Sequence, residues 1–188
     1  MSLENEMFLQ RREKLRAIEA LGFAAYPHKF AASHTIPEVV ERWGASSGEE
    51  LAESKPPVRV AGRVMALRLH GKTGFADLVQ GGRKLQIYVR RDAVAEAGFQ
   101  LYSLLDLGDF VGATGYLFRT KKGELSVHVE AIEFLAKALL PLPEKWHGLQ
   151  DVETRYRQRY VDLIVNPETR EIFRTRSRIV GALRRALE

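Results

Sequence analysis

The chain has 188 residues, enough for one large domain or two small ones, and 45% of them are hydrophobic against 28% charged, a balance that excludes wholesale disorder. There is no cysteine, which excludes disulfides, thiolate zinc sites and cysteine nucleophiles and is compatible with a reducing, cytoplasmic setting. No stretch reaches the roughly 18 apolar residues a membrane-spanning helix needs, so no membrane partner is expected, and the acidic, polar start is unlike a secretory signal.

Lys and Arg number 29 and Asp and Glu 24, for a net charge of +5. Residues 1–55 carry 7 basic and 9 acidic groups (net −2), residues 56–140 carry 12 and 8 (net +4), and residues 141–188 carry 10 and 7 (net +3). The positive excess therefore lies in the middle and the tail. Nucleic acid is the commonest polyanion such a surface meets, and a merely solvated basic surface is the plain alternative.

In chain order, residues 4–21 carry Leu15, Ile18 and Leu21 at helical spacing, with Gly22 as the stop. Thr35 and Glu38 form a T-x-x-E capping box for a short helix over 35–43, with Pro37 in its first turn. Gly44–Pro57 is rich in Ser, Glu, Gly and Pro and reads as a linker. From Val58 the period changes to two. Strands are expected over Val58–Leu69, Gly74–Gln80, Lys84–Arg90, Asp109–Thr120 and Glu124–Leu135. A Gly81-Gly82-Arg83 turn joins the second and third, and a Lys121-Lys122-Gly123 turn joins the last two. A partly helical insert over Asp92–Leu107 separates the third from the fourth. Five strands with that insert predict a mainly β chain, a Greek-key OB-fold barrel over 56–140, preceded by N-terminal helices over 1–55. After a second linker over Pro141–Gly148, Asp151–Ile164 reads as a helix capped by Asp151. Asn166-Pro167 then opens another helix, in which Ile172, Ile179, Leu183 and Leu187 share a face. That pattern is still running at Glu188, as in a fragment of a longer protein.

Chemistry-bearing motifs are sparse. Gly71-Lys72-Thr73 resembles the end of a P-loop, but the position that must be glycine is Ala66. The five histidines follow no metal-ligand spacing, and no nucleophile elbow occurs. No catalytic residue and no metal site is therefore expected. On the third strand Leu85, Ile87 and Val89 face one way, and Gln86, Tyr88 and Arg90 the other. On the second, Phe75 falls with Asp77 on the polar face. An aromatic there can stack a base, and the Gln86 amide can read a base edge as donor and acceptor. Arg68 can hold a phosphate or stack a base. Glu124, beside the lysine-rich turn, can accept from base N–H groups. Taken singly, each has a bland reading: core packing for Phe75, an exposed amide for Gln86, a solvated charge for Glu124. Simple alternation from Val58 puts Arg68 on the face of Val60 and Val64, so it reaches the polar face only through a bulge, for which Gly62 is the candidate site.

Several segments together resemble the N-terminal anticodon-binding region of class II lysyl-tRNA synthetases: RREKLRAIEALGFAAYP at 11–27, VAGRVMALRLHGKTGF at 60–75, LQIYVRRD at 85–92, LGDFVGATGYLFRTKKGELSVH at 107–128 and ALLPLPEKWHGLQDVETRYRQRYVDLI at 138–164. The last is similar to the hinge between OB and catalytic domains in that family. Arg68, Phe75 and Gln86 keep the family's Arg–Phe–Gln spacing. The resemblance implies that Phe75 stacks the central anticodon base, Gln86 reads its edge, Arg68 supports the same region and Glu124 contacts a flanking uridine. A second basic residue that precedes the Arg in many bacterial members is Leu67 here. Residues from Ile172 onward resemble the opening helix of class II motif 1. The resemblance thus implies a tRNA partner with a lysine-type, UUU anticodon and a homodimer through the motif 1 region. ATP and Mg²⁺ would serve the intact lysine–tRNA ligase, with no cofactor in this stretch and no catalysis by it alone. A generic single-strand-binding OB module, an aspartyl- or asparaginyl-type relative, and a dimerisation fragment with an idle RNA face are the competing readings.

Overall fold

The structure, a computed structural model, describes residues 3–143 and 149–188. It divides into two compact units, Met1–Pro141 and Leu142–Glu188.

The first unit opens with α1 (Leu3–Ala20), which buries Ile18 and ends at Gly22, where φ is +92°. Arg11 lies on its buried side because its guanidinium donates to three carbonyls, those of Leu107, Ala138 and Leu140, at 3.2, 2.6 and 3.3 Å. Helix α2 (Ile36–Trp43) begins with the expected capping box: the Glu38 amide donates to Thr35 Oγ1 at 3.3 Å and the Thr35 amide to Glu38 Oε2 at 2.7 Å. The Thr35 bonds also hold the Glu38 carboxyl below its ordinary value. The expected linker Gly44–Pro57 needs correction. It contains a further helix, α3 (Gly48–Ser54), capped by Ser47 and Glu50 in a second capping box and anchored by buried Leu51. Its Ser-Gly-Glu composition imitates a linker, while its S-x-x-E spacing is a helix start.

Five strands follow: β1 (Pro57–His70), β2 (Thr73–Gln80), β3 (Arg83–Arg90), β4 (Phe110–Arg119) and β5 (Leu125–Ala136), with α4 (Glu96–Leu104) between β3 and β4. They close a barrel in the order β1-β2-β3-β5-β4, with β3 and β5 parallel and every other pair antiparallel. This is the OB arrangement expected from the strand count and the insert. Gly81 and Gly82 (φ +59° and +82°) make the two-residue turn between β2 and β3, whose twist requires positive φ at both positions. Val60, Val64, Ala76, Leu78, Leu85, Ile87, Leu117, Val127 and Val129 fill the interior.

The bulge that redirects Arg68 lies at Met65, not at Gly62. Val64 pairs with Leu78 and Ala66 with Asp77, leaving Met65 as the extra residue on β1. Before it, Val58, Val60, Gly62 and Val64 point inward; after it, Leu67 packs toward the core and Arg68 points out, opposite Phe75. One inserted residue shifts a period-two pattern by half a cycle. The β1 backbone beyond the bulge is held by Tyr102 of α4. This fully buried side chain donates its hydroxyl to the Arg68 carbonyl at 3.1 Å, and its ring occupies the space a Cβ on Gly74 would fill. Burial pushes the Tyr102 phenol well above its ordinary value.

An ionic clasp ties α1 to the far end of the barrel. Buried Lys137 reaches Asp106 and Asp109, each at 2.7 Å, and Lys14 reaches the other Asp106 oxygen at 2.7 Å. Asp109 also accepts the amides of Asp106 and Ala138.

In the second unit the expected helix over 151–164 is two, α5 (Val152–Arg157) and α6 (Arg159–Val165), broken at Gln158. Asp151 caps α5 through the Thr154 amide at 2.7 Å. Asn166 does not cap α7 (Pro167–Leu187) with its side chain, as the sequence predicts. The amide donates instead to Asp162 Oδ1 at 2.6 Å and to the Leu149 carbonyl at 3.2 Å. Asp162 is buried and also receives Arg155, Arg159 and Thr169. Burial alone would raise its carboxyl; these donors hold it below the ordinary aspartate value. Ile172, Ile179, Leu183 and Leu187 do share a face of α7, and all are exposed. Of the expected linker over Pro141–Gly148, residues 144–148 lie outside the described residues.

Candidate nucleic-acid interface

The outward faces of β1, β2, β3 and β4 and the β4–β5 turn surround an open cleft of about 700 Å³. Arg68, Phe75, Gln86 and Glu124, drawn from four separate stretches of sequence, all line it. The Met65 bulge and Tyr102 place Arg68; the pleat of β2 and β3 places Phe75 and Gln86; Gly123, at φ +82°, turns the chain so that Glu124, just before β5, stands beside Lys84.

Aromatic rings form the cleft's apolar surface. Phe75 stacks on Tyr88, its register partner, with centroids 4.6 Å apart and planes 25° apart. Tyr88 continues to Phe118 and His128, each 5.8 Å away, and His128 stacks on Tyr116 at 4.9 Å and 10°. Tyr88 backs one face of Phe75, so a flat ligand entering the cleft meets the other.

The charges alternate. Asp77 lies 3.7 Å from Arg68 and 3.8 Å from Lys84, and Lys84 lies 2.8 Å from Glu124. The bond to Glu124 raises the Lys84 ammonium above its ordinary value. Asp77 Oδ1 is buried without a hydrogen bond. Gln86, 8% exposed, accepts at Oε1 from buried Ser126 Oγ at 2.9 Å. Exposed Lys121 and Lys122 stand at the edge of the cleft, and their turn is pinned by Arg119, which donates to the carbonyls of Gly123, Ser46 and Gly44. Stacking rings, an amide, a carboxylate and flanking cations form the inventory for holding unstacked bases and their phosphates.

Residues 58–135 match the tRNA anticodon family of OB-fold nucleic acid binding domains. The barrel belongs to that family. The similarity extends beyond the OB domain. Over 184 residues the chain is 48% identical to the lysine–tRNA ligase of Halalkalibacterium halodurans, covering 98% of this chain and 37% of that protein. It is 47% identical to the enzyme of Carboxydothermus hydrogenoformans, with 98% and 36% covered, and 45% identical over 188 residues to that of Moorella thermoacetica, with 100% and 37% covered. The chain therefore spans a little over a third of the length of these curated relatives, and the resemblance carried by the short motifs holds over nearly all of it.

Sequence reasoning missed much of the OB domain's cleft. The sequence alone puts Tyr88 on the correct face without a role and gives no place to Phe118, which lines the cleft, or to His128 and Tyr116, which extend its ring cluster. Their signal was present: Tyr116, Phe118 and His128 sit at outward positions of the period-two pattern in β4 and β5. Asp77, Lys84 and Ser126 share that outward parity, but the partners that give them roles, Arg68, Glu124 and Gln86, come from other stretches of the chain.

Proposed function

We propose that this chain reads the anticodon loop of a lysine-type tRNA, with UUU as the preferred anticodon, as the tRNA-reading part of a lysine–tRNA ligase. The convergence of Arg68, Phe75, Gln86 and Glu124 on one aromatic-lined cleft carries this reading. The basic barrel attracts the stem-loop, and the loop bases splay out toward the sheet. The central base stacks on the free face of Phe75, and Gln86 meets its edge. Arg68, half-exposed and only 3.7 Å from Asp77, is free to swing to a neighbouring phosphate. Glu124 accepts from a flanking base through an oxygen its bond to Lys84 leaves open. On the same reading the intact ligase activates lysine with ATP and Mg²⁺ through residues outside these 188 and works in the cytoplasm. The exposed row Ile172, Ile179, Leu183 and Leu187 supports a homodimer through α7.

The test is fluorescence anisotropy with labelled UUU and GUC anticodon stem-loops at two salt concentrations. Tighter binding of UUU at both salts is the expected result. Equal binding that fades steeply with salt would mean phosphate attraction alone, as in a generic single-strand binder.

A further inference from the structure

A glutamine amide is nearly symmetric in shape, and its two ends carry opposite hydrogen-bonding character. Used alone as a base reader it selects poorly, since a flip of the terminal torsion exchanges donor for acceptor. In this barrel the amide is held. β3 and β5 run parallel with Gln86 opposite Ser126. The Ser126 hydroxyl, with no solvent exposure, donates to Gln86 Oε1 at 2.9 Å. Its other acceptor, the Glu124 carbonyl, is more distant at 3.3 Å. On the opposite flank the register partner of Gln86 is Asp77, a carboxylate only 16% exposed. Its negative charge disfavours an oxygen turned toward it. Both neighbours therefore act in the same sense, keeping Oε1 against β5 and leaving the Nε2 protons for a ligand in the cleft.

We infer that Ser126 is a positioning residue that fixes the Gln86 amide as a donor, so that the cleft selects a base presenting a carbonyl, as uracil does at O4, over one presenting an amine there, as cytosine does at N4. This rests on the anticodon reading proposed above and adds to it the origin of the discrimination. A donor meets uracil O4 with a hydrogen bond and meets the cytosine amine with two donors face to face, leaving both unpaired in a partly dry site.

The experiment measures binding of two stem-loops that differ only in the central anticodon base, UUU and UCU, to the full chain and to Ser126→Ala, Ser126→Thr and Gln86→Glu. The unmodified chain should prefer UUU. Ser126→Ala frees the amide to turn, and the UUU:UCU ratio should fall about fivefold, the worth of one neutral hydrogen bond. Ser126→Thr keeps a hydroxyl and should keep the ratio. Gln86→Glu, which offers only acceptors, should move the preference toward UCU, and it tests the same idea if Ser126→Ala does not fold. No preference in the unmodified chain would overturn the anticodon reading itself. With the preference preserved in the unmodified chain, Ser126→Ala weakening both loops by the same factor would overturn the role of Ser126, and Gln86→Glu still favouring UUU would overturn the Gln86 donor through which Ser126 is inferred to act; the anticodon reading stands in both cases.

Discussion

Truncating Phe75 tests whether the cleft works by stacking. A base on an aromatic side chain is worth about 1–3 kcal/mol, which is roughly 5- to 150-fold in affinity. The structure narrows that range. Tyr88 lies 4.6 Å behind Phe75 with nearly parallel planes, so Phe75→Ala uncovers a second ring onto which the base can settle. The single variant should therefore lose about tenfold toward the UUU stem-loop. Phe75→Ala combined with Tyr88→Ala should lose more than the two single losses combined, because each ring substitutes in part for the other. Phe75→Trp, which keeps a flat face, should stay within about twofold of the unmodified protein. Folding is not at stake: the Phe75–Tyr88 pair contributes about 0.5–1.5 kcal/mol beyond its burial, a modest fraction of a domain's stability. Anisotropy titrations at fixed salt, alongside a thermal melt of each variant, measure both quantities. A Phe75→Ala protein that melts cooperatively and binds UUU as tightly as the original would refute the stacking role.

Three further predictions concern the scaffold. Lys137→Met leaves Asp109 buried without its cation and should cost about 3–5 kcal/mol of stability, read from urea midpoints. Asp106 is held below the ordinary aspartate value of 3.8: burial by itself would raise it, and Lys137 and Lys14 more than offset that. Its contribution is therefore present above pH 3.8 and is lost as pH falls through the lower folded value, so Asp106→Asn should lower stability at neutral pH and flatten the acid limb below about pH 4. Gly115→Ala places a Cβ 1.9 Å from the His128 carbonyl oxygen, which is backbone and cannot step aside; the barrel should lose about 3 kcal/mol or more, seen as a drop in Tm.

Much of this barrel was legible because its signals are local. The Thr35 capping box, the Gly-Gly hairpin turn and the inward row Leu85, Ile87, Val89 are each decided within a few residues, and each stands as expected. The failures mark where local grammar ends. Met65 looks like any strand residue, and nothing beside it announces a bulge; the extra residue shows only in the pairing with β2, whose register shifts by one between Val64–Leu78 and Ala66–Asp77. Asn166 has the sequence of a helix cap, yet its side chain is turned so that Nδ2 donates to the carboxylate of Asp162 four residues earlier, a charge-assisted bond stronger than a neutral one, and Oδ1 accepts no cap bond. α3 was hidden by composition rather than spacing. The site residues stand out by their oddness on a strand face, but the partners that give them a job lie on other strands: Tyr88 meets Phe75 across the β2–β3 hairpin, and Ser126 meets Gln86 only when β3 and β5 close the barrel.

The order of charge in the cleft bears on what kind of contact it can make. A groove that only follows a phosphate backbone has cations along its length, and any carboxylate in it costs affinity. Here the signs run Arg68, Asp77, Lys84, Glu124 across neighbouring strands at separations of 3.7, 3.8 and 2.8 Å. Asp77 and Glu124 cancel much of the field that Arg68 and Lys84 would otherwise present. Lys121 and Lys122 on the turn stand exposed at the cleft's edge. Phosphates are therefore drawn to the edge, while the interior of the cleft is close to neutral, dry on its aromatic side and supplied with oriented donors and acceptors. Such an interior gains little from a backbone and most from neutral, flat ligands with polar edges. The salt dependence of binding should accordingly reside in the two turn lysines and in Arg68 where it swings to a phosphate, each adding about one to the salt slope. The preference between loops should reside in the Gln86–Ser126 pair and Glu124, and should persist when added salt has weakened both loops.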